Sequence, residues 1–155
     1  MKGLGVKKLP TITVVMPVYN VSQYVVRCVQ SVINQTYPAT ECIIVDDAST
    51  DDSLVQCQRL ISSYKGSTKF SFVLHDSNRG LSAARNTGAY LAKADYIYYV
   101  DSDDELTSDC LEKLIAPCIC DDSIEMVMGN YRVDYGVLSD FKYMVAKWLN
   151  NGKYN

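Results

Sequence analysis

Apolar residues in this chain follow two alternating patterns: short continuous runs closed by polar turns, and stripes that repeat every three to four residues. The runs predict strands over Ile12–Val18, Cys42–Val45, Phe70–Leu74, Tyr96–Val100 and Met126–Met128. Pro17 is expected near the end of its strand, because proline cannot donate to a central ladder. The stripes predict the intervening helices. Tyr24, Val25, Cys28, Val29, Val32 and Ile33 share one face of a helix that Ser22 caps and Tyr37-Pro38 stops. Ser49-Thr50-Asp51-Asp52 opens a second, carrying Leu54, Cys57, Leu60, Ile61 and Tyr64. Ser82 is the expected cap of a small-residue helix over Ala83–Ala92, and a fourth helix runs from about Ser108 to Cys118 with Pro117 near its end. Beyond Tyr135 the pattern weakens. Phe141, Val145 and Trp148 or Leu149 suggest a last helix over Asp140–Asn150.

Strand and helix thus alternate in βαβαβαβ order, which predicts an α/β layered fold with a mostly parallel sheet flanked by helices. No repeat or low-complexity tract interrupts it. The expected organisation is a basic N-terminal tail over residues 1–9, one domain over 10–135, and the start of a further region over 136–155.

Composition narrows the class. With 155 residues, 48% of them hydrophobic and 21% charged, the chain can bury a core without staples. A net charge of -3 and no basic stripe beyond Lys2, Lys7 and Lys8 argue against a nucleic-acid surface. No apolar run has signal-peptide or membrane-spanning form, so a cytoplasmic protein is expected. The six cysteines (Cys28, Cys42, Cys57, Cys110, Cys118 and Cys120) include no C-x-x-C pair and have one histidine, His75, beside them. Reduced core thiols fit better than zinc ligands. Cys118-Ile119-Cys120 is the one pair with redox potential.

Ligands of open parallel sheets gather at the carboxyl ends of the strands. Here Pro17, Tyr19 and Asn20 follow strand one, and Asp46 and Asp47 follow strand two. Asp76, Asn78, Arg79 and Gly80 follow strand three; Asp101, Ser102 and Asp103 follow strand four. Any one of these is a commonplace turn or cap, but four together suit a nucleotide diphosphate and its cation. A D-x-D at a strand end offers the oxygen ligands that Mg²⁺ or Mn²⁺ prefers. Tyr19 can stack a base or simply line the core rim. Asp47 can accept a base imide N–H, whereas Asp46 suits a structural role. Arg79 and Arg85 can hold a diphosphate or pair with the aspartates. Gly80 suits a turn and Gly88 close helix packing. His75 reads as structural rather than as a base or metal ligand. No Ser-His-Asp arrangement, P-loop or G-x-G-x-x-G is present. A receiver domain, suggested by Val45-Asp46-Asp47, lacks its later Asp and Lys.

Five ordered motifs now point further. Thr13–Asn20, Ser31–Pro38, Ile44–Asp51, Asn78–Gly88 and Asp101-Ser102-Asp103 resemble the motifs of family 2 glycosyltransferases of GT-A fold, over roughly residues 10–135. The resemblance implies inverting, metal-assisted transfer of a sugar from a nucleotide-diphosphate donor, commonly a UDP-sugar, to an acceptor hydroxyl, as in polysaccharide biosynthesis. It implies that Pro17, Tyr19 and Asp47 line the nucleoside pocket, with Asn20 and Arg79 also on the donor side. Asp101 would face the ribose or sugar, Arg85 would lie near the donor, and Asp103 would bind Mn²⁺ or Mg²⁺. The acceptor would be a glycan or lipid-linked molecule, and peripheral association with the inner face of the cell membrane is expected. The family's acceptor-activating carboxylate is expected beyond Asn155, since neither Asp134 nor Asp140 matches its motif. The alternative is a nucleotide-sugar-binding module that does not transfer.

Overall fold

The computed structural model describes the backbone of residues 8–131 and 141–147, and side-chain surroundings through Gly129. Lys2, Lys7, Asp134, Asp140, Trp148 and Leu149 lie outside the described residues. Ten elements follow in order: β1 (Ile12–Val18), α1 (Val25–Ile33), β2 (Glu41–Asp46), α2 (Ser53–Ser62), β3 (Lys69–Leu74), α3 (Leu81–Leu91), β4 (Tyr96–Tyr99), α4 (Cys110–Cys120), β5 (Met126–Tyr131) and β6 (Phe141–Lys147). The six strands form one sheet in the order β3-β2-β1-β4-β6-β5. β1 to β4 run parallel, while β6 is antiparallel to both β4 and β5. This is the α/β architecture that the strand–helix alternation predicts.

β1 is buried throughout because it sits at the centre, so its apolar run is continuous rather than alternating. One face of the sheet presents Ile12, Val14, Met16, Cys42, Ile44, Tyr96 and Tyr98 to Val25, Cys28 and Val29 of α1, Cys57 of α2 and Leu111, Leu114 and Ile115 of α4. The other face presents Val15 and Ile97 to Ala89, and Ile43 and Val45 to Ala84, both on α3. Small residues let α3 lie close. A Cβ on Gly88 would come 2.3 Å from Val15 Cγ1.

Pro17 stands within β1, paired with Val45 of β2. Its missing N–H points to the β4 side, where the last ladder bond runs from Val100 N to Val15 O. The central strand tolerates the proline because its neighbour has already ended there.

Three expectations are corrected. Ser22 does not cap α1: its N–H bonds Asp51 Oδ2, and the helix entry is closed by Tyr24 and Val25 N–H groups on Val21 O. Ser82 lies inside the first turn of α3, after Gly80, whose φ of 86° gives a sharp entry closed to most side chains. The supposed last helix is β6 over its described part, paired from Tyr96↔Lys147 to Tyr98↔Val145. Phe141 and Val145, four apart, satisfy a period of two as well as a helical stripe, and the free edges of β4 and β5 supply partners. α4 also begins and ends two residues later than expected, with Pro117 inside it.

All six cysteines are free thiols. Burial pushes Cys28 and Cys42 well up and Cys57 up to about 12, so these three stay protonated and pack as small apolar groups. Among the described residues no helix is long and apolar enough to cross a membrane.

Candidate functional site

The sheet changes direction between β1 and β4, since β2 and β3 extend to one side and β4 to the other. With Pro17 ending the shared ladder, the two strands part at their carboxyl ends. A cleft of ≈ 440 Å³ opens there, lined by Pro17, Tyr19, Asp47, Asn78, Gly80, Leu81, Ala84, Asp101, Ser102 and Asp103, among others. Loops from all four parallel strands therefore meet at one place, as a topological switch point requires.

The loops after β1 and β2 are laced together. Asn20, at φ 52°, donates its N–H to Ser49 Oγ (3.2 Å) and accepts the Thr50 N–H on Oδ1 (2.8 Å). Val21 N donates to Ser53 Oγ at 2.8 Å, and Asp51 accepts from Ser22 N and Ser53 N at 3.0 Å each. Burial alone would raise the Asp51 pKa, but the Ser53 and Ser22 hydrogen bonds prevail and hold it down to about 2. Ala48 takes φ 62° in the same loop. Asn20 thus serves the scaffold, and its side chain does not line the cleft.

Asp46 and Asp47 divide their labour. Asp46 is 4% exposed; Oδ2 accepts Ser49 N at 3.3 Å and Oδ1 has no partner. Asp47, 3% exposed, reaches the cleft. Its Oδ1 accepts from His75 Nδ1 (2.6 Å) and Arg79 N (2.9 Å), and its Oδ2 accepts from Gly80 N (2.7 Å). Burial disfavours the charge, yet these donors outweigh it and hold the carboxyl below its ordinary range. Asp47 is an ionised, immobilised acceptor with one lone pair of Oδ2 left over.

The opposite wall is looser. Asp101 Oδ1 pairs with Arg85 at 2.5 Å, with both side chains more than a third exposed. Arg85 also lies 5.9 Å from the Tyr99 ring centroid, while its Nε is buried without a partner. Cys28 Sγ supports the Asp101 carbonyl from beneath at 3.5 Å. Asp103 is exposed at the rim, and no described side chain hydrogen-bonds or pairs with its carboxylate. Of the expected cations, Arg85 approaches the cleft through Asp101. Arg79 gives Asp47 its backbone N–H, and its side chain lines a separate cleft with Asn86, Thr87 and Tyr90.

Among the described residues, no three His, Cys, Asp or Glu side chains cluster to hold a metal unaided. Asp103 and the second oxygen of Asp101, neither of them bonded by a described side chain, nonetheless fit a hard divalent cation that shares its shell with diphosphate oxygens. The tie between His75 and Asp47 was not foreseen from the sequence. Its signal is the parallel register, because pairing Asp46 with Leu74 sets residues 47 and 75 side by side.

The chain matches the model of the family described as glycosyl transferase family 2 over residues 13–153. It is 38% identical to Streptococcus pneumoniae glycosyltransferase GlyA over 120 residues, 77% of this chain and 16% of that one. Identity to Escherichia coli chondroitin synthase is 39% over 112 residues, 72% of this chain and 16% of that one. Staphylococcus aureus poly(ribitol-phosphate) beta-N-acetylglucosaminyltransferase TarP is 35% identical over 125 residues, 79% of this chain and 37% of its own length. This chain therefore spans well under half the length of each of these three relatives. In fold it resembles Staphylococcus aureus TarS in complex with UDP-GlcNAc (TM-score 0.70, 24% identity, covering 84% of this chain and 37% of that one). It also resembles the Pyrobaculum calidifontis mannosyltransferase PcManGT in complex with GDP-Man and Mn2+ (TM-score 0.72, 23% identity, covering 83% and 38%). On the family match and these relatives, the chain belongs to glycosyl transferase family 2.

Proposed function

We propose that this chain forms the donor side of an inverting glycosyltransferase that takes its sugar from a UDP-sugar with the help of a divalent cation. The carrying observation is the division of the cleft. A clamped, ionised acceptor stands on the β2 side, and an exposed acidic pair stands on the β4 side. Uracil offers an imide N–H to such an acceptor, whereas cytosine offers a ring nitrogen that would face it lone pair to lone pair. Tyr19, 46% exposed, supplies a flat face against which the base can lie.

At the other wall, Asp103 and Asp101 would hold Mn²⁺ or Mg²⁺ together with the diphosphate. That ion, when bound, neutralises charge on the departing diphosphate. The start of α3 lines the same cleft through Gly80 and Leu81, so its first-turn N–H groups would favour a diphosphate, and Arg85 adds a cation nearby. Inversion requires a base to take the acceptor hydroxyl proton as the new C–O bond forms. No described residue is assigned that role.

Titration of the chain with UDP, GDP, CDP and ADP in the presence of Mn²⁺ tests the reading. UDP should bind best and CDP poorly. GDP, whose base also carries a ring N–H, is the competitor to beat. Preference for GDP would reassign the donor, and equal binding of all four would refute base reading. Saturable UDP binding without transfer to any glycan acceptor would favour the binding-module alternative.

A further inference from the structure

We infer that His75 is a positioning residue that sets base specificity through Asp47; the inference rests on the base-reading role proposed above. The His75 side chain is 4% exposed and its two ring nitrogens both have partners, Asp47 Oδ1 at 2.6 Å and Thr87 Oγ1 at 2.9 Å. Since the Asp47 carboxylate is ionised, Nδ1 must be the donor in the first contact. The other ring nitrogen, Nε2, is hydrogen-bonded to Thr87 Oγ1. One imidazole thereby joins the end of β3, the loop after β2 and the middle of α3.

The consequence lies in what remains of Asp47. His75 and Arg79 N occupy Oδ1, and Gly80 N takes one direction at Oδ2. A single acceptor direction is left for the cleft. The two backbone donors are consecutive, Arg79 and the α3 N-cap Gly80, so they hold the carboxylate from one side only. The His75 ring is the side-chain contact that ties Asp47 to α3, so it fixes the angle at which the free lone pair meets a base. Discrimination between a base that donates there and one that accepts depends on that angle, whereas diphosphate affinity does not.

Calorimetric titration of UDP, CDP and inorganic diphosphate with Mn²⁺ tests this in the wild type and in His75→Leu, His75→Asn and His75→Gln. The wild type should prefer UDP over CDP by about 10-fold or more. His75→Leu should lose most of that ratio while keeping its diphosphate affinity. His75→Asn places an amide N–H where Nδ1 stands and should restore the ratio; His75→Gln, reaching toward Thr87 instead, should not. Loss of folding alone would lower all three affinities together and leave the ratio intact. If His75→Leu does not fold, the Asn and Gln variants decide: equal ratios overturn the positioning role. Asp47→Asn separates the two levels. An unchanged ratio in that variant refutes base reading itself. A ratio abolished by Asp47→Asn yet preserved in His75→Leu refutes only the role of His75.

Discussion

The carboxyl ends of β2 and β4 both lead into a pair of aspartates, and the two pairs are built in opposite ways. Asp47 is buried and accepts from His75, Arg79 and Gly80. Asp103 is exposed and held by no described side chain, while its neighbour Asp101 has one half-exposed arginine. An exposed pair of that kind contributes about 0–1 kcal/mol. The β2 loop therefore has its geometry before any ligand arrives, and the β4 loop keeps oxygens in reserve for one. A base edge demands a fixed hydrogen-bond angle. A cation and a flexible diphosphate demand charge, and they can order the loop themselves.

If that contrast is right, the same kind of substitution should act on different quantities at the two walls. Asp47→Ala leaves the His75, Arg79 and Gly80 donors without their acceptor and should cost about 2–4 kcal/mol of stability, read by denaturant unfolding. A loss below about 0.5 kcal/mol would mean that water replaces the carboxylate freely and that the wall is not clamped. Gly88→Ala perturbs both walls at once, because α3 carries Thr87 and Arg85 on either side of that contact. Forcing a Cβ to 2.3 Å from Val15 Cγ1 should cost about 1–3 kcal/mol and weaken UDP binding as α3 moves outward. An unaltered UDP affinity would separate α3 from the site.

Acid separates the two walls further. The Asp51 pKa falls from 3.8 to about 2 on folding, so its contribution is present above pH 4 and is lost as the pH drops through about 2. Its partial exposure reduces the effect to about 1–2 kcal/mol. Asp51→Asn should remove it at pH 7 and converge with the wild type near pH 2; parallel stability curves across that window would contradict the assignment. The smallest change expected is at Ala48. Its φ of 62° strains an L-residue by about 1 kcal/mol, partly offset by the freedom glycine gains when unfolded, so Ala48→Gly should stabilise by about 0.5 kcal/mol. A loss of stability in thermal scans would show that the methyl group packs against something the loop needs.

The sequence disclosed the frame of this molecule well and its fastenings poorly. Continuous apolar runs and Gly/Asp turns reveal β1 to β4, and the parallel order follows from the helices between them. The motif at each strand end then indicates which side of the sheet carries the site. Caps were misread at Ser22 and Ser82, because a polar residue near a helix start bonds its own backbone only if no stronger partner lies across the chain. Asp51 is such a partner for Ser22, whereas at Ser82 the positive φ of Gly80 starts the helix early and leaves the serine inside its first turn. β6 was misread because four-residue spacing fits both periods, and only its neighbours decide. Nothing in the local pattern around His75 announces its contact with Asp47. The register that sets it beside Asp47 belongs to the sheet, not to any local pattern.

In this arrangement an open acidic wall meets the diphosphate through a cation while the clamped wall reads the base. Calorimetry of UDP with Mn²⁺ and with EDTA, for the wild type and Asp103→Asn, tests it most directly. Wild-type binding should be saturable and weakened by EDTA by about 1–3 kcal/mol, with an equal loss in Asp103→Asn with Mn²⁺ present and unchanged thermal stability of the variant. Equal UDP affinity in all four conditions would contradict it.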